Sequence, residues 1–186
     1  MNIGLFFGTF DPIHLGHLKI AQNALALKYL DKVWLVLTPQ NPFKTDLKIS
    51  SNRHRMLMLN IATRKYDDIV FSDIEFNLKA PQYTSDTLKY IIKIYPEYKF
   101  SLIMGSDNYC QLQKWKNGEY ILNNFDIYVY SRRGYFLNQL ETKFQLSGDK
   151  IDISSSQIRQ NIYSKENQNM LDKGVLDYIK KNKLYT

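Results

Sequence analysis

NIGLFFGTFDPIHLGH, residues 2–17, decides the architecture. Asn2 to Gly8 is a continuous apolar run of strand length. Runs that do not alternate with polar residues belong to strands covered on both faces. The glycine that ends the run lets a ligand come close to the backbone, and Pro12 stiffens the loop that follows. From Leu15 to Tyr29 the period changes to that of a helix: Leu18, Ala21 and Leu25 form one stripe, with Ile20, Ala24 and Leu27 beside it.

The same alternation continues down the chain. Val33–Thr38, Ile69–Ser72, Phe100–Met104 and Phe125–Tyr130 read as strands. Ser51–Lys65 and Tyr83–Ile94 read as helices, Ser106–Asn124 as short helices, and Ser155–Tyr163 and Val175–Lys181 as two closing helices. Strands each followed by a helix, joined by right-handed crossovers, predict a doubly wound, Rossmann-like parallel α/β sheet with helices on both faces. One domain is expected over residues 1–186, with a small helical part from about 153 to 186; Asn138–Gly148 reads as its connector.

The 186 residues suit a single core, and 44% hydrophobic with 23% charged residues is an ordinary globular balance. Gly, Pro and charges cut every apolar run short of the ~18 residues of a membrane span. Met1 to Phe10 has no basic flank and no cleavage site of small residues, so no signal peptide is expected. A single cysteine, Cys110, allows no internal disulfide. Together these predict a cytoplasmic protein. The net charge of +7 is spread along the chain, and Lys180, Lys181 and Lys183 flank a helix pattern. With neither a clustered basic face nor an aromatic platform, a nucleic-acid partner is not expected, nor is a membrane. The sequence says nothing legible about oligomeric state.

Four loops follow predicted strands: Thr9–Ile13, Pro39–Lys44, Gly105–Ser106–Asp107 and Ser131–Arg132–Arg133–Gly134. In a parallel sheet all four lie at the carboxyl edge, where open α/β sheets bind ligands. His14 and His17 are two of the three histidines and share the first turn of a helix. Its free N–H groups and positive dipole end suit phosphate, with two imidazoles as donors. Capping by Asp11 with incidental histidines is the plain alternative; a metal pair lacks a third ligand. In ISSSQIR, Ile153–Arg159, Ser154 with Gln157 has the pattern of a capping box. Ser155 and Ser156 then offer hydroxyls at the helix start, and Arg159 can fork onto phosphate. Gly105 and Asp107 suit a nucleotide; a helix cap at Ser106 or Asp107 is the equal alternative. Lys44 is a phosphate partner or a solvated loop lysine. Thr84 stands at a helix start: capping is the plain alternative, and the free N–H groups there also favour a carboxylate. Trp115, among Lys114, Lys116 and Asn117, is expected to keep an exposed ring. Arg132 and Arg133 are further anion partners.

GTFDPIHLGH is similar to the (T/H)xGH signature of the nucleotidyltransferase α/β-phosphodiesterase superfamily, with His14-Leu15-Gly16-His17 as its core. ISSSQIR resembles the superfamily's second signature. Within that superfamily the chain resembles the bacterial nicotinate-nucleotide adenylyltransferases over nearly its whole length. PQNPFK (Pro39–Lys44), APQYTSDTL (Ala80–Leu88), MGSDNY (Met104–Tyr109) and SRRGY (Ser131–Tyr135) fall in the family's order. One departure is Ser156, where relatives usually carry Thr; a hydroxyl is kept.

The resemblance implies transfer of AMP from ATP to nicotinate mononucleotide, giving deamido-NAD and pyrophosphate. It implies Gly8, Thr9, Phe10, His14, His17, Gly105, Asp107, Ser155, Ser156 and Arg159 for ATP, with Mg2+ carried mainly on the ATP phosphates and no dedicated metal site. It implies Lys44, Tyr83, Thr84, Trp115 and Arg133 for nicotinate mononucleotide, and His14, His17, Lys44 and Arg159 as the catalytic set. Acceptors such as nicotinamide mononucleotide or phosphopantetheine are the rivals within the superfamily; MGSDNY, PQYTSDTL and Trp115 argue against phosphopantetheine. A class I aminoacyl-tRNA synthetase shares the His-x-Gly-His pattern, but this chain lacks its length and its lysine-rich signature. A basic nucleic-acid-binding module is the rival from another class.

Overall fold

The computed structural model describes residues 1–39, 49–132, 135, 144–146 and 153–186. Among the described residues six strands form one sheet in the order β3-β2-β1-β4-β5-β6: β1 (Asn2–Gly8), β2 (Lys32–Leu37), β3 (Ile69–Ser72), β4 (Lys99–Gly105), β5 (Asp126–Tyr130) and β6 (Phe144–Leu146). Every neighbouring pair is parallel. The order reverses between β1 and β4, so their carboxyl ends open the crevice of a doubly wound sheet. Register aligns Phe6 with Ile103, so Gly8 and Gly105 lie equally far beyond it on adjacent strands.

The strands divide their side chains between two cores. Phe6, Val33, Leu35, Leu37, Ile103 and Tyr128 face one layer. Ile3, Leu5, Val36, Leu102, Met104, Ile127 and Val129 face the other. This is the two-residue period of a strand, hidden in the sequence because both faces are apolar. The first layer is closed by α1 (Leu15–Ala26) and α2 (Asn52–Thr63), through Leu18, Ala21, Met58 and Leu59. The second is closed by α3 (Thr84–Ile94), the short α4 (Ser106–Tyr109) and α5 (Gly118–Asn124), with Leu88, Ile91 and Ile121 buried.

Three helices rather than two end the chain: α6 (Ser155–Gln160), α7 (Lys165–Asn169) and α8 (Lys173–Lys181). The predicted helix to Tyr163 stops at Gln160, and α7 is an additional element. KENQN carries no apolar stripe; α7 is started by the Ser164 hydroxyl, which accepts from the Asn167 amide. Ile158, Leu171, Val175 and Ile179 join the first core. Two contacts tie α8 to α2 and its C-terminal turn: His54 Nδ1 lies 2.8 Å from the Tyr178 hydroxyl, and Lys65 Nζ 2.7 Å from Asp172. The expected connector region contains β6, while 138–143 and 147–148 lie outside the described residues. Among the described residues, no helix is long and apolar enough to cross a membrane.

Candidate active site

β1 ends at Gly8, whose carbonyl accepts from Thr38 N–H at 2.9 Å. A Cβ at Gly8 would meet the Phe10 ring at 2.9 Å, so this approach requires glycine. Phe10 holds a left-handed φ of 47° and turns its ring inward, 2% exposed. Strain of this kind persists only where the surroundings impose it. Phe10 therefore has only its backbone free for a nucleotide; its ring is a wall for His17, with centroids 5.0 Å apart.

The helix cap is His14, not Asp11. The His14 and His17 rings stack with centroids 3.7 Å apart and planes 23° apart. The His14 N–H points at His17 Nδ1, 3.3 Å away. A nitrogen that accepts carries no proton, so the His17 proton sits on Nε2. Burial, helped by Arg132, lowers the His14 pKa to about 3. Burial, His14 and Arg132 hold His17 well below its usual 6.5. Both imidazoles are therefore neutral at pH 7, as two stacked rings beside a guanidinium must be.

Asp11 is 2% exposed and occupies the centre of the loop. Its backbone carbonyl accepts from Arg159 Nη1 at 2.6 Å, while Ser155 Oγ donates to the Pro12 carbonyl at 2.9 Å. Arg159 Nη2 reaches Ser156 Oγ at 3.1 Å. The Ser154 cap holds as expected, its hydroxyl accepting from Gln157 N–H at 3.1 Å. The two signature segments, more than 140 residues apart, thus clasp each other.

Arg55 braces the same loops from below. It is wholly buried and donates to the carbonyls of Ser50, Thr9, Thr38 and Pro39 and to the Asn52 side chain. These contacts use all five guanidinium donors.

At the end of β4, a Cβ on Gly105 would strike the Asp107 carboxylate and Arg132. Neither Ser106 nor Asp107 caps α4; Gly105 does. The Ser106 hydroxyl instead accepts from Arg132 N–H at 2.9 Å and donates to the Tyr135 carbonyl at 3.2 Å. Arg132 Nε lies 3.7 Å from Asp107 Oδ1, so this arginine is already matched by an acid.

A second cluster forms around α3. Its cap residue, Tyr83, contributes no side-chain hydrogen bond to the first turn. Lys116 Nζ lies 4.5 Å above the Tyr83 ring and 2.8 Å from Asp86, and Asn117 Nδ2 lies 3.5 Å from Ser85 Oγ. These contacts hold the Trp115 loop against the start of α3. Trp115 is partly buried against the second core, so its ring is less open than expected. Glu75 and Thr38 connect this cluster to β1. Glu75, 2% exposed, accepts from Thr87 Oγ1 at 2.7 Å, and its pKa is raised by burial against the hydroxyls of Thr87 and Thr38.

Of the predicted site residues, Gly8, Thr9, Phe10, His14, His17, Ser155, Ser156 and Arg159 meet around one loop. Gly105 and Asp107 end the neighbouring strand, and Tyr83, Thr84 and Trp115 form the second cluster. Lys44 and Arg133 lie outside the described residues. Arg55, Glu75 and Asp11's role as a hub were not anticipated. A buried Arg has no local signature, since its partners come from other elements.

A doubly wound sheet that brings a histidine pair and the start of α6 together at the β1 loop defines a nucleotidyltransferase. The chain matches the cytidylyltransferase-like family over residues 5–161. It is 43% identical to "Probable nicotinate-nucleotide adenylyltransferase" of Flavobacterium psychrophilum, covering 100% of this chain and 99% of that protein. The protein of the same name from Flavobacterium johnsoniae is 42% identical over 100% of this chain and 99% of its own length. By this full-length likeness the chain belongs to the nicotinate-nucleotide adenylyltransferase family, within the cytidylyltransferase-like enzymes. The fold is shared with Plasmodium falciparum nicotinic acid mononucleotide adenylyltransferase complexed with NaAD: TM-score 0.82, 22% identity, 99% of this chain and 97% of that one. A second structure of that enzyme, complexed with APC, has TM-score 0.81 at 22% identity, covering 99% and 96%.

Proposed function

We propose that the protein transfers the adenylyl group of ATP to nicotinate mononucleotide, releasing pyrophosphate and forming nicotinate adenine dinucleotide. The observation that carries this reading is the stacked His14–His17 pair, whose loop is clasped by Ser155 and Arg159. A phosphate oxygen of the mononucleotide, ionised at pH 7, attacks the α-phosphorus of ATP. The bond to the β-phosphate oxygen breaks, and both electrons leave with pyrophosphate. No enzyme nucleophile or general base is needed, so the protein acts by positioning and by placing donors where charge develops.

His17 supplies an Nε2–H that reaches phosphate without bringing a fixed charge. As negative charge grows at the transition state, the neutral ring becomes more basic and its hydrogen bond strengthens. Ser155, Ser156 and Arg159 hold the departing phosphates. Gly105 and Asp107 receive the adenosine, the carboxylate accepting from a ribose hydroxyl. Lys44 and Arg133 are proposed partners of the acceptor's phosphate.

Magnesium enters with ATP as part of the substrate and neutralises phosphate charge there. Among the described residues no three His, Cys, Asp or Glu side chains converge. The donors around the loop are N–H and O–H groups, a set that fits phosphate oxygens carrying their own ion.

Acceptor choice rests on α3. Its first amides favour a carboxylate over a neutral amide. Lys116 offsets the opposing charge of Asp86, and Trp115 offers a face to the pyridine ring. The test is pyrophosphate release from Mg-ATP with nicotinate mononucleotide, nicotinamide mononucleotide and phosphopantetheine in parallel. Release at least ~10-fold faster with the nicotinate form is expected, the size of a charge-assisted contact. Equal rates with the two pyridine nucleotides, or release only with phosphopantetheine, would overturn the acceptor assignment.

A further inference from the structure

Beyond α8 the chain turns back to the phosphate loop. Leu184 N–H donates to the Ile179 carbonyl at 3.1 Å, and Tyr185 takes a left-handed φ of 64°. Its ring packs against the first core, and its hydroxyl donates to Asp11 Oδ1 at 2.6 Å, across 174 residues of sequence. Burial and the Asp11 charge push the phenol's pKa up, so it stays a donor. The other carboxylate oxygen, Oδ2, accepts from Ser50 N–H at 3.2 Å and lies 3.9 Å from Arg159 Nη1. Tyr185, Ser50 and Arg159 therefore surround one carboxylate.

Anchoring α8 does not require this hydroxyl. His54–Tyr178 and Lys65–Asp172 already tie α8 and its start to α2. The Tyr185 ring would pack the same way without its oxygen. What the O–H adds is orientation: with Oδ1 taken, Oδ2 faces Arg159, whose Nη1 meets the Asp11 carbonyl and whose Nη2 turns to Ser156.

We propose that Tyr185 is a positioning residue for adenylyl transfer: its hydroxyl fixes the Asp11 carboxylate, which in turn orients Arg159 toward the triphosphate. This rests on the reaction proposed above. The inference concerns the ATP side alone, so it separates from the choice of acceptor. Tyr185→Phe is expected to raise the KM for ATP, and for pyrophosphate in the reverse reaction, about 5- to 10-fold. The KM for nicotinate mononucleotide should stay within about twofold. In an Arg159→Ala background the same change should have no further effect, because the residue it acts through is gone. An unchanged KM for ATP, or a full additional loss in that background, would overturn the proposal.

Should Tyr185→Phe fail to fold, Asp11→Asn reads the same link. It keeps an acceptor for the phenol and removes the charge facing Arg159 and Arg55. A matching rise in KM for ATP supports the proposal, and no rise contradicts it. Direct titration with a non-hydrolysable ATP analogue reads the effect whatever the acceptor. Wild-type protein that binds the analogue but releases no pyrophosphate with nicotinate mononucleotide refutes the acceptor reading. A binding loss in Tyr185→Phe would then still stand for Tyr185.

Discussion

The proposed phosphate end and the proposed acceptor end of the site are built differently. Asp11 and Arg55 are buried, and their half-buried partners join them across the chain: Arg55 to Thr9, Arg159 to Asp11, Tyr185 to Asp11. Around Tyr83 and Trp115 the Thr87–Glu75 bond is buried, but the contacts that hold the Trp115 loop are exposed ones, Lys116 with Asp86 and Lys116 over Tyr83, each worth a fraction of a kcal/mol. The difference fits the proposed chemistry. Donors that stabilise a transition state must be in place before reaction, since reorganising them then would raise the barrier. A ring and a carboxylate that only need recognition can tolerate a looser frame.

The largest effect should come from removing the brace under the phosphate end. Arg55→Met leaves the half-buried carbonyls of Thr9, Thr38 and Pro39 without this donor, and a loss of about 3 kcal/mol is expected in urea unfolding. A loss below about 1 kcal/mol would show that the loops hold themselves.

His17→Ala should lower kcat at least ~100-fold with little change in KM for nicotinate mononucleotide. Near-normal turnover would remove the histidine pair from the mechanism.

Acid should weaken the same region. The folded pKa of His14, about 3, lies below the unfolded value of 6.5, and His17 is shifted the same way. Between those values the unfolded chain binds more protons, so stability is present above pH 6.5 and lost as pH falls. For His14 the loss is about 2 kcal/mol at pH 5. The fall in Tm from pH 7 to 5 should be shallower in His14→Asn; identical slopes would contradict the burial argument.

At the acceptor end effects should be smaller and confined to one substrate. Trp115→Ala should raise the KM for nicotinate mononucleotide about 10-fold and leave ATP unaffected. Lys116→Met is the mildest, within about threefold and weaker at high salt. A loss for Lys116→Met as large as that for His17→Ala would erase the distinction between the two ends.

Much of the fold is legible in the sequence because β1, β2, β4 and β5 are long, doubly buried runs. β6 is not, since Phe144–Leu146 spans three residues with a polar centre. Helix α1 was expected to reach Tyr29 but ends at Ala26, because Lys28 takes a left-handed φ of 60°. At the site, His14, His17 and Ser155 are legible because each sits in a local pattern at a helix start, and Arg159 because it follows Ser155 within the same short segment. Asp11 reads as a cap, and only the fold brings Tyr185, Ser50 and Arg159 around it. Arg55 and Glu75 are invisible for the same reason: a charged residue in a helix or a short turn reads as a surface residue until its partners are known.

The claim most exposed to test is that the phosphate end is arranged before any nucleotide arrives. Nitrogen-15 NMR of labelled histidines in the free protein would read it directly. The account predicts that His14 and His17 both remain neutral at pH 7, with the His17 proton on Nε2 and His14 titrating only near pH 3. A His14 or His17 titrating near 6.5, or rings averaging between tautomers, would mean that the pair is assembled by the substrate instead.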